Sequence, residues 1–158
     1  MPRIVAVNRY YWPDHSATSQ LLTDLLEHQA AGGQEVLAVT SRQRYDQPGA
    51  ALPETGEHQG VSIRRLWSTR FGRSGLAGRA IDYLSFYASA FFTLLFKVRR
   101  GDTILALTDP PLLSVVAGVV AGVVAAVKRA RLVNWCQDLF SDYTTAARLG
   151  APLGNPAA

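Results

Sequence analysis

The chain has 158 residues, of which 48% are hydrophobic and 18% charged, and 16 Lys and Arg against 12 Asp and Glu give a net charge of +4. This is the composition of one folded domain, and it excludes a disordered chain. The positive excess is too small, and the basic runs are too short, to indicate a nucleic-acid-binding protein. It suits phosphate-bearing ligands or the anionic face of a cytoplasmic membrane.

The predicted elements alternate between short apolar strands and longer helices. Pro and Gly recur through 41–60, which predicts a loop. Strands are predicted at 3–8, 35–40, 61–67, 102–108 and 131–135, and helices at 18–31, 80–98 and 110–130. This order predicts an α/β fold with a doubly wound, mostly parallel, Rossmann-like sheet of about five strands. Residues 1–150 form one domain, and 151–158 are a breaker-rich tail.

The single cysteine and the N-terminal segment bear on compartment. Cys136 alone excludes an intrachain disulfide and a thiolate metal cluster, and no metal site is predicted. The apolar run near the N-terminus is too short for a secretory signal, and no small-residue cleavage site follows it. We therefore expect a cytoplasmic protein.

Two of the predicted helices are unusually apolar. No charged residue occurs between Tyr83 and Phe96 or between Pro110 and Val127. The favoured interpretation is two crossover helices packed on the sheet, and the alternative is a transmembrane hairpin. A third interpretation is a peripheral contact with the inner membrane, because cations flank the aromatic helix 80–98 on both sides.

Parallel sheets bind ligands at the carboxyl ends of their strands, which places interest on the loops 9–18, 41–47, 108–111 and 136–143. In the first loop, Ser16 and Thr18 are candidates to bind ligand oxygens through their hydroxyls. Asp14 is a candidate to accept hydrogen bonds from hydroxyls, and His15 lies in the same turn. The alternative is that Asp14 and Ser16 only cap the following helix.

The next two loops carry charged candidates. Arg42 and Arg44 have guanidinium forks that fit a diphosphate, although a solvated turn explains them equally well. Asp109 precedes two prolines, so its backbone is extended and its carboxylate is held for binding hydroxyls. The alternative for Asp109 is an acid that stabilises a helix N-terminus.

Four segments together resemble one family: "YYWPDHSATSQLLTDLLEHQAAGGQEVLAVTSRQRYD", "LWSTRFGRSGLAGRAIDYLSFYASA", "GDTILALTDPPLLSVVAG" and "ARLVNWCQDLFSD". In order and content they resemble the N-terminal domain of family 4 retaining glycosyltransferases with the GT-B fold, of the bacterial colanic-acid and O-antigen type. The resemblance implies that this domain holds the acceptor, an undecaprenyl-linked or growing surface glycan. A C-terminal domain, for which this sequence has no counterpart, would bind a UDP- or GDP-sugar. It also implies that the chain is inactive alone and has no resident cofactor.

The resemblance assigns the last loop its candidates. Many family members carry a His followed by Asp where this chain has Gln137 and Asp138. Asp138 is then the candidate to accept a proton or orient the acceptor, with capping of the next segment as the alternative. Gln137 cannot shuttle protons and is a candidate for substrate binding.

Two rival functions remain. A non-catalytic nucleotide-binding Rossmann module would carry a G-x-G-x-x-G turn after the first strand, which "NRYYWPDHSAT" does not provide. The second rival is a small membrane-associated protein. The glycosyltransferase hypothesis requires Asp14, Arg44, Asp109 and Asp138 to share one edge of the sheet.

Overall fold

The computed structural model describes residues 2–45, 51–71, 75–107 and 114–135. In chain order the elements are β1 (Ile4–Val7), α1 (Ala17–Ala31), β2 (Val36–Ser41), β3 (Thr55–His58), β4 (Val61–Leu66), α2 (Leu76–Lys97), β5 (Thr103–Leu107), α3 (Ser114–Lys128) and β6 (Arg131–Trp135). The α/β class is therefore confirmed.

The strands form one six-stranded sheet in the order β3-β4-β2-β1-β5-β6. Every neighbouring pair is parallel except β3 with β4. Ile4 of β1 pairs with Val36 of β2 and with Thr103 of β5, so these strands begin level. Their carboxyl ends consequently meet along one edge, which we call the carboxyl edge.

Apolar side chains cover both faces of the sheet because successive strand residues point to opposite sides. Val5 and Val7 of β1 belong to a cluster with side chains of α2 and α3, while Ala6 belongs to a second cluster with α1. The largest fully buried side chains include Phe86 and Leu22, one in each cluster. Each such side chain contributes about 1.5–3 kcal/mol by burial.

The region predicted as a loop, 41–60, contains a strand, so the described residues contribute six strands to the sheet where about five were predicted. Thr55–His58 pairs antiparallel with β4, and a two-residue turn joins the two strands. Both turn residues have positive φ, 47° at Gln59 and 79° at Gly60, which matches the right-handed twist of a hairpin. Long-range pairing supplies the order that the polar sequence of this strand does not predict.

The five predicted strands are confirmed to within one or two residues, whereas α2 begins earlier than predicted. Gly75 is its N-cap in extended backbone, and Gly78 lies inside its first turns. An interior glycine costs a helix only about 1 kcal/mol, which the buried face of a 22-residue helix outweighs. The predicted start of the last helix at 110 and the tail 151–158 lie outside the described residues.

No helix among the described residues is long and apolar enough to cross a membrane. Within that part of the chain α2 and α3 pack against each other and against the sheet, as the crossover interpretation predicts.

Candidate functional site

The loops after β1 and β2 are tied together at the carboxyl edge. The carbonyl oxygen of Arg9 accepts hydrogen bonds from the Thr40 hydroxyl at 2.9 Å and the Ser41 amide at 3.0 Å. The Oδ2 atom of Asp14 accepts one from the Tyr45 amide at 2.5 Å. Residues that are distant in sequence therefore form one polar surface.

Asp14 is buried, and both of its carboxylate oxygens bind backbone amides. Oδ1 accepts from Ser16 at 2.9 Å, and Oδ2 accepts from Tyr45. Its carbonyl oxygen also accepts from the Ser19 hydroxyl of α1 at 3.2 Å. Asp14 thus fixes the turn that leads into α1. A contact between Asp14 and a ligand hydroxyl stays a prediction. Such a contact would use a carboxylate oxygen that already accepts a hydrogen bond from a backbone amide.

The other candidates of this loop surround the start of α1. His15 is exposed, Ser16 is the N-cap residue and Thr18 lies in the first turn. The Ser16 side chain makes no capping hydrogen bond, and its Oγ atom is buried without a partner. A shallow depression of about 270 Å³ opens here, lined by Trp12, Pro13, Asp14, His15, Gln20, Thr23 and Asp24.

Arg42 and Arg44 follow β2 and are both half-buried. Arg42 donates from Nε to the Leu52 carbonyl at 2.9 Å, which anchors the segment that leads to β3. The residue between them, Gln43, is buried.

That residue, Gln43, belongs to a buried polar group that we call the Arg9 cluster: Arg9, Gln43 and Ser68. Arg9 donates from Nη2 to Gln43 Oε1 at 3.1 Å. The Gln43 amide in turn donates to Ser68 Oγ at 3.1 Å and to the Thr69 carbonyl at 2.6 Å. The cluster joins the loops that follow β1, β2 and β4.

Arg9 is 6% exposed, and its guanidinium contacts two tyrosine rings and one amide oxygen. Its central carbon lies 4.3 Å from the centroid of the Tyr83 ring and 5.4 Å from that of Tyr10. Its Nε atom is buried with no hydrogen-bond partner. No carboxylate within the described ranges forms an ion pair with it.

Asp82 of α2 holds the loop after β4. Its Oδ1 atom accepts from the Thr69 hydroxyl at 2.7 Å and from the Phe71 amide at 2.9 Å. The Thr69 amide donates to Ser85 Oγ at 2.9 Å. These bonds fix Thr69, whose carbonyl oxygen accepts from the Gln43 amide, and Ser68 is its neighbour in the chain.

Large aromatic side chains are exposed along the same edge. Tyr45 follows β2 and is 49% exposed, while Trp67 and Phe71 follow β4 and are 64% and 62% exposed. Tyr10 packs edge-on against Tyr45 with centroids 5.5 Å apart. Exposed aromatics beside buried polar groups are typical of a ligand-binding surface.

A second layer supports the first loop from the side of β3. Trp12 stacks on His58 at 3.9 Å, and His58 Nε2 lies 3.2 Å from Glu27 of α1. Arg65 donates to the carbonyl oxygens of Trp12 at 3.2 Å and of Pro53 at 3.3 Å. Burial lowers the pKa of Arg65, and the neighbouring Tyr11 acts in the opposite direction.

Tyr11 is 2% exposed beneath this layer. Burial raises the pKa of its phenol far above the ordinary value of 10, and the nearby Glu27 carboxylate raises it further. The phenol therefore stays neutral in the folded chain.

The structure brings Asp14, His15, Ser16, Thr18, Arg42 and Arg44 to the carboxyl edge. Asp109, Gln137 and Asp138 fall outside the described residues, so their placement stays a prediction. In the described part of the chain no group of His, Cys, Asp and Glu could hold a metal ion.

Sequence reasoning missed the Arg9 cluster. The sequence does carry a signal for it, because the charged residue Arg9 comes only two positions after a buried apolar strand, next to Asn8. Gln43 lies between two arginines that attracted the ligand-binding prediction, and only its hydrogen bonds in the structure show that it faces Arg9.

No model of a known protein family matches the chain, and a search of the curated proteins finds no match either.

Proposed function

We propose that the chain is the acceptor-binding half of a retaining glycosyltransferase, built on a doubly wound Rossmann-like sheet as in the first lobe of a GT-B enzyme. The full enzyme transfers a sugar from a UDP- or GDP-sugar to a lipid-linked or growing surface glycan. The observation that carries the proposal is the convergence of three loops at the carboxyl edge, where buried polar groups lie beside exposed aromatics.

The surface chemistry suits a glycan acceptor. Sugar rings have apolar faces and polar rims, and the exposed rings of Tyr45, Trp67 and Phe71 offer broad surfaces for those faces. Ser16 follows His15, which lines the depression, and its hydroxyl oxygen has no hydrogen-bond partner among the described residues, so we propose it as a partner for a sugar hydroxyl. Arg42 and Arg44 bring positive charge for a diphosphate.

In this proposal the chain positions the acceptor and supplies charge, and catalysis does not depend on a pair of carboxylates in this domain. A retaining transfer passes through an oxocarbenium-like state, and the acceptor proton leaves with the departing diphosphate. Holding the acceptor hydroxyl on the face of the sugar that the diphosphate leaves retains the configuration and lets the proton pass to the diphosphate, and this positioning supplies much of the rate. Asp138 is the proposed orienting residue, with Gln137 beside it.

The test measures acceptor binding by saturation-transfer NMR, with farnesyl-diphosphate-linked N-acetylglucosamine as a short-chain probe. We expect transfer to the sugar protons that falls at least severalfold in Trp67→Ala. The control is Phe96→Ala, which removes an aromatic that is 80% exposed at the far end of α2. Equal transfer in both variants, or none in the unmodified chain, contradicts the proposal.

UDP-glucose supplied alone separates this proposal from a nucleotide-binding module. An acceptor lobe binds it weakly, whereas a nucleotide-binding Rossmann module binds it in the absence of acceptor. Sugar transfer is expected only after addition of a separately expressed donor lobe. Turnover by this chain alone would refute the assignment.

The same proposal places the chain on the cytoplasmic side of the inner membrane, with α2 as its contact. Ile81, Leu84, Phe92 and Phe96 are exposed at helical spacing, and they form one apolar stripe. Lys97, Arg99 and Arg100 are exposed beside its end, as in helices that bind anionic lipid.

Co-sedimentation with vesicles tests this contact. We expect binding to vesicles of phosphatidylglycerol and phosphatidylethanolamine that is lost in Phe92→Ser/Phe96→Ser. The matched control is Val119→Ser/Val123→Ser on α3, which removes exposed apolar side chains without flanking aromatics. Binding that survives the first pair of changes contradicts the contact.

A further inference from the structure

We propose that Arg9 is the core of an oxyanion-binding position at the carboxyl end of β1, which takes a phosphate ester or a carboxylate. The inference depends on the contacts of Arg9 and not on glycosyl transfer, so it stands whether or not the chain acts on sugars. No sequence motif marks this position.

The first step is the cost of the buried charge. Arg9 is 6% exposed, and a guanidinium cannot lose its proton at neutral pH. Buried charges are almost always paired. Within the described ranges, Arg9 has one neutral acceptor and two aromatic rings, and no carboxylate.

The second step is that the neutral acceptor is fixed in place. Gln43 donates both of its amide hydrogens, to Ser68 Oγ and to the Thr69 carbonyl. Its Oε1 atom is therefore oriented toward Arg9, and it orients the guanidinium plane in turn. Such a preorganised fork loses little entropy when it binds an anion.

The third step is that donors remain. Nε of Arg9 is buried without a partner, and Nη1 makes no hydrogen bond to any described residue. The hydroxyl of Ser68 accepts from Gln43 and keeps its own proton to donate. An oxyanion with two or more oxygens satisfies several of these donors at once and neutralises the charge.

The fourth step is location. Arg9 follows β1, which lies between β2 and β5 in the middle of the sheet. Ligands of open parallel sheets bind outside the carboxyl ends of such strands. The exposed aromatics of the same edge would flank the organic part of a ligand whose anionic group reaches Arg9.

The experiment follows the arginine Nε–H resonances of the whole chain by NMR at constant ionic strength. Inorganic phosphate is the probe in one arm and sodium glucuronate in the other, with chloride as the reference salt. We expect the Arg9 resonance, identified by its absence in Arg9→Lys, to shift in a saturable way in at least one arm. The arm with the tighter saturation tells a phosphate ligand from a carboxylate ligand.

Affinity in two charge-matched variants completes the test. Arg9→Gln should weaken binding of the preferred anion about tenfold or more. Arg70→Gln removes an equal charge from an exposed side chain of the loop after β4 and should change it less than about twofold. The proposal is overturned if Arg9 does not shift at saturating anion, or if both variants weaken binding equally. The resonance shift is measured on the unmodified chain, so it decides the matter even if Arg9→Gln does not fold.

Discussion

Two buried arginines flank β1, and they are satisfied in opposite ways. Arg3 precedes the strand and lies 2.9 Å from Asp102, whose carboxylate also accepts from the Arg99 amide at 2.9 Å. Arg9 follows the strand and has no carboxylate partner among the described residues. Both side chains are under a tenth exposed. The amino end of the sheet is thus closed by internal ion pairs, whereas the carboxyl end keeps donors that a ligand can use.

The largest expected effect comes from breaking the buried ion pair between Arg3 and Asp102 at the amino end of the sheet. Asp102→Ala removes the carboxylate that compensates Arg3 and leaves a buried charge, so the free energy of unfolding should fall by about 3–5 kcal/mol. Urea unfolding measures it. Glu35→Ala is the control, because Glu35 lies 3.5 Å from Arg3 with a side chain 59% exposed, and it should cost at most about 1 kcal/mol. Equal losses would mean that burial does not set the strength of these pairs.

A smaller loss is expected where a carboxylate at the carboxyl end serves the backbone. Asp14→Ala removes the acceptor of the Ser16 and Tyr45 amides and should cost about 2–3 kcal/mol. The exposed acid Asp24 lines the same depression, so Asp24→Ala should be nearly neutral. The two midpoints of urea unfolding give the comparison. If Asp14→Ala were also neutral, the hydrogen bonds from Thr40 and Ser41 to the Arg9 carbonyl oxygen would be enough to hold the two loops together.

Alkaline pH should weaken the fold through Tyr11, a buried neutral group at the carboxyl end of the sheet. Burial raises the pKa of Tyr11 in the folded chain, so above its ordinary value of 10 only the unfolded chain loses this proton. Stability should therefore fall as pH rises from 10, by about 1.4 kcal/mol per pH unit from this residue. Tyr11→Phe removes the ionisable hydroxyl and should flatten the loss. Parallel curves of unfolding free energy against pH for the two proteins would contradict this assignment.

The smallest expected effect is that of Arg9→Gln, which we compare with Arg3→Gln. Arg9→Gln removes a buried charge without leaving a described partner charge behind, so without added anion the free energy of unfolding should stay within about 1 kcal/mol of its original value. Arg3→Gln, by contrast, leaves Asp102 buried and unpaired and should be strongly destabilising. If Arg9→Gln were equally damaging in phosphate-free buffer, Arg9 would have a structural role like that of Arg3.

Much of the fold was predictable because hydrophobic spacing determines it. The strands with runs of Val, Ile and Leu and the helix at Ala17–Ala31 were located to within one or two residues. The strand Thr55–His58 was not, because its residues are polar and three of the four are exposed. Only pairing with β4 across the turn at Gln59 and Gly60 makes it extended.

The candidate site was predictable by position but not by residue. The rule that ligands lie at the carboxyl ends of strands directed attention to the loops 9–18 and 41–47, which the structure joins through Asp14. The same rule could not separate Gln43, which faces the buried Arg9, from Arg42, which binds the Leu52 carbonyl. That distinction depends on the direction of each side chain, and neither residue type nor spacing encodes it here.

Among the described residues, the two outer strands of the sheet differ in a way that affects handling at high concentration. On one side, Thr55–His58 is four residues long and polar, which discourages another chain from adding to it. On the other side, β6 exposes Leu132 and Val133 at 39% and 46%. Self-association by strand addition should therefore begin at β6, and charged substitutions there would be the first choice for keeping concentrated samples monodisperse.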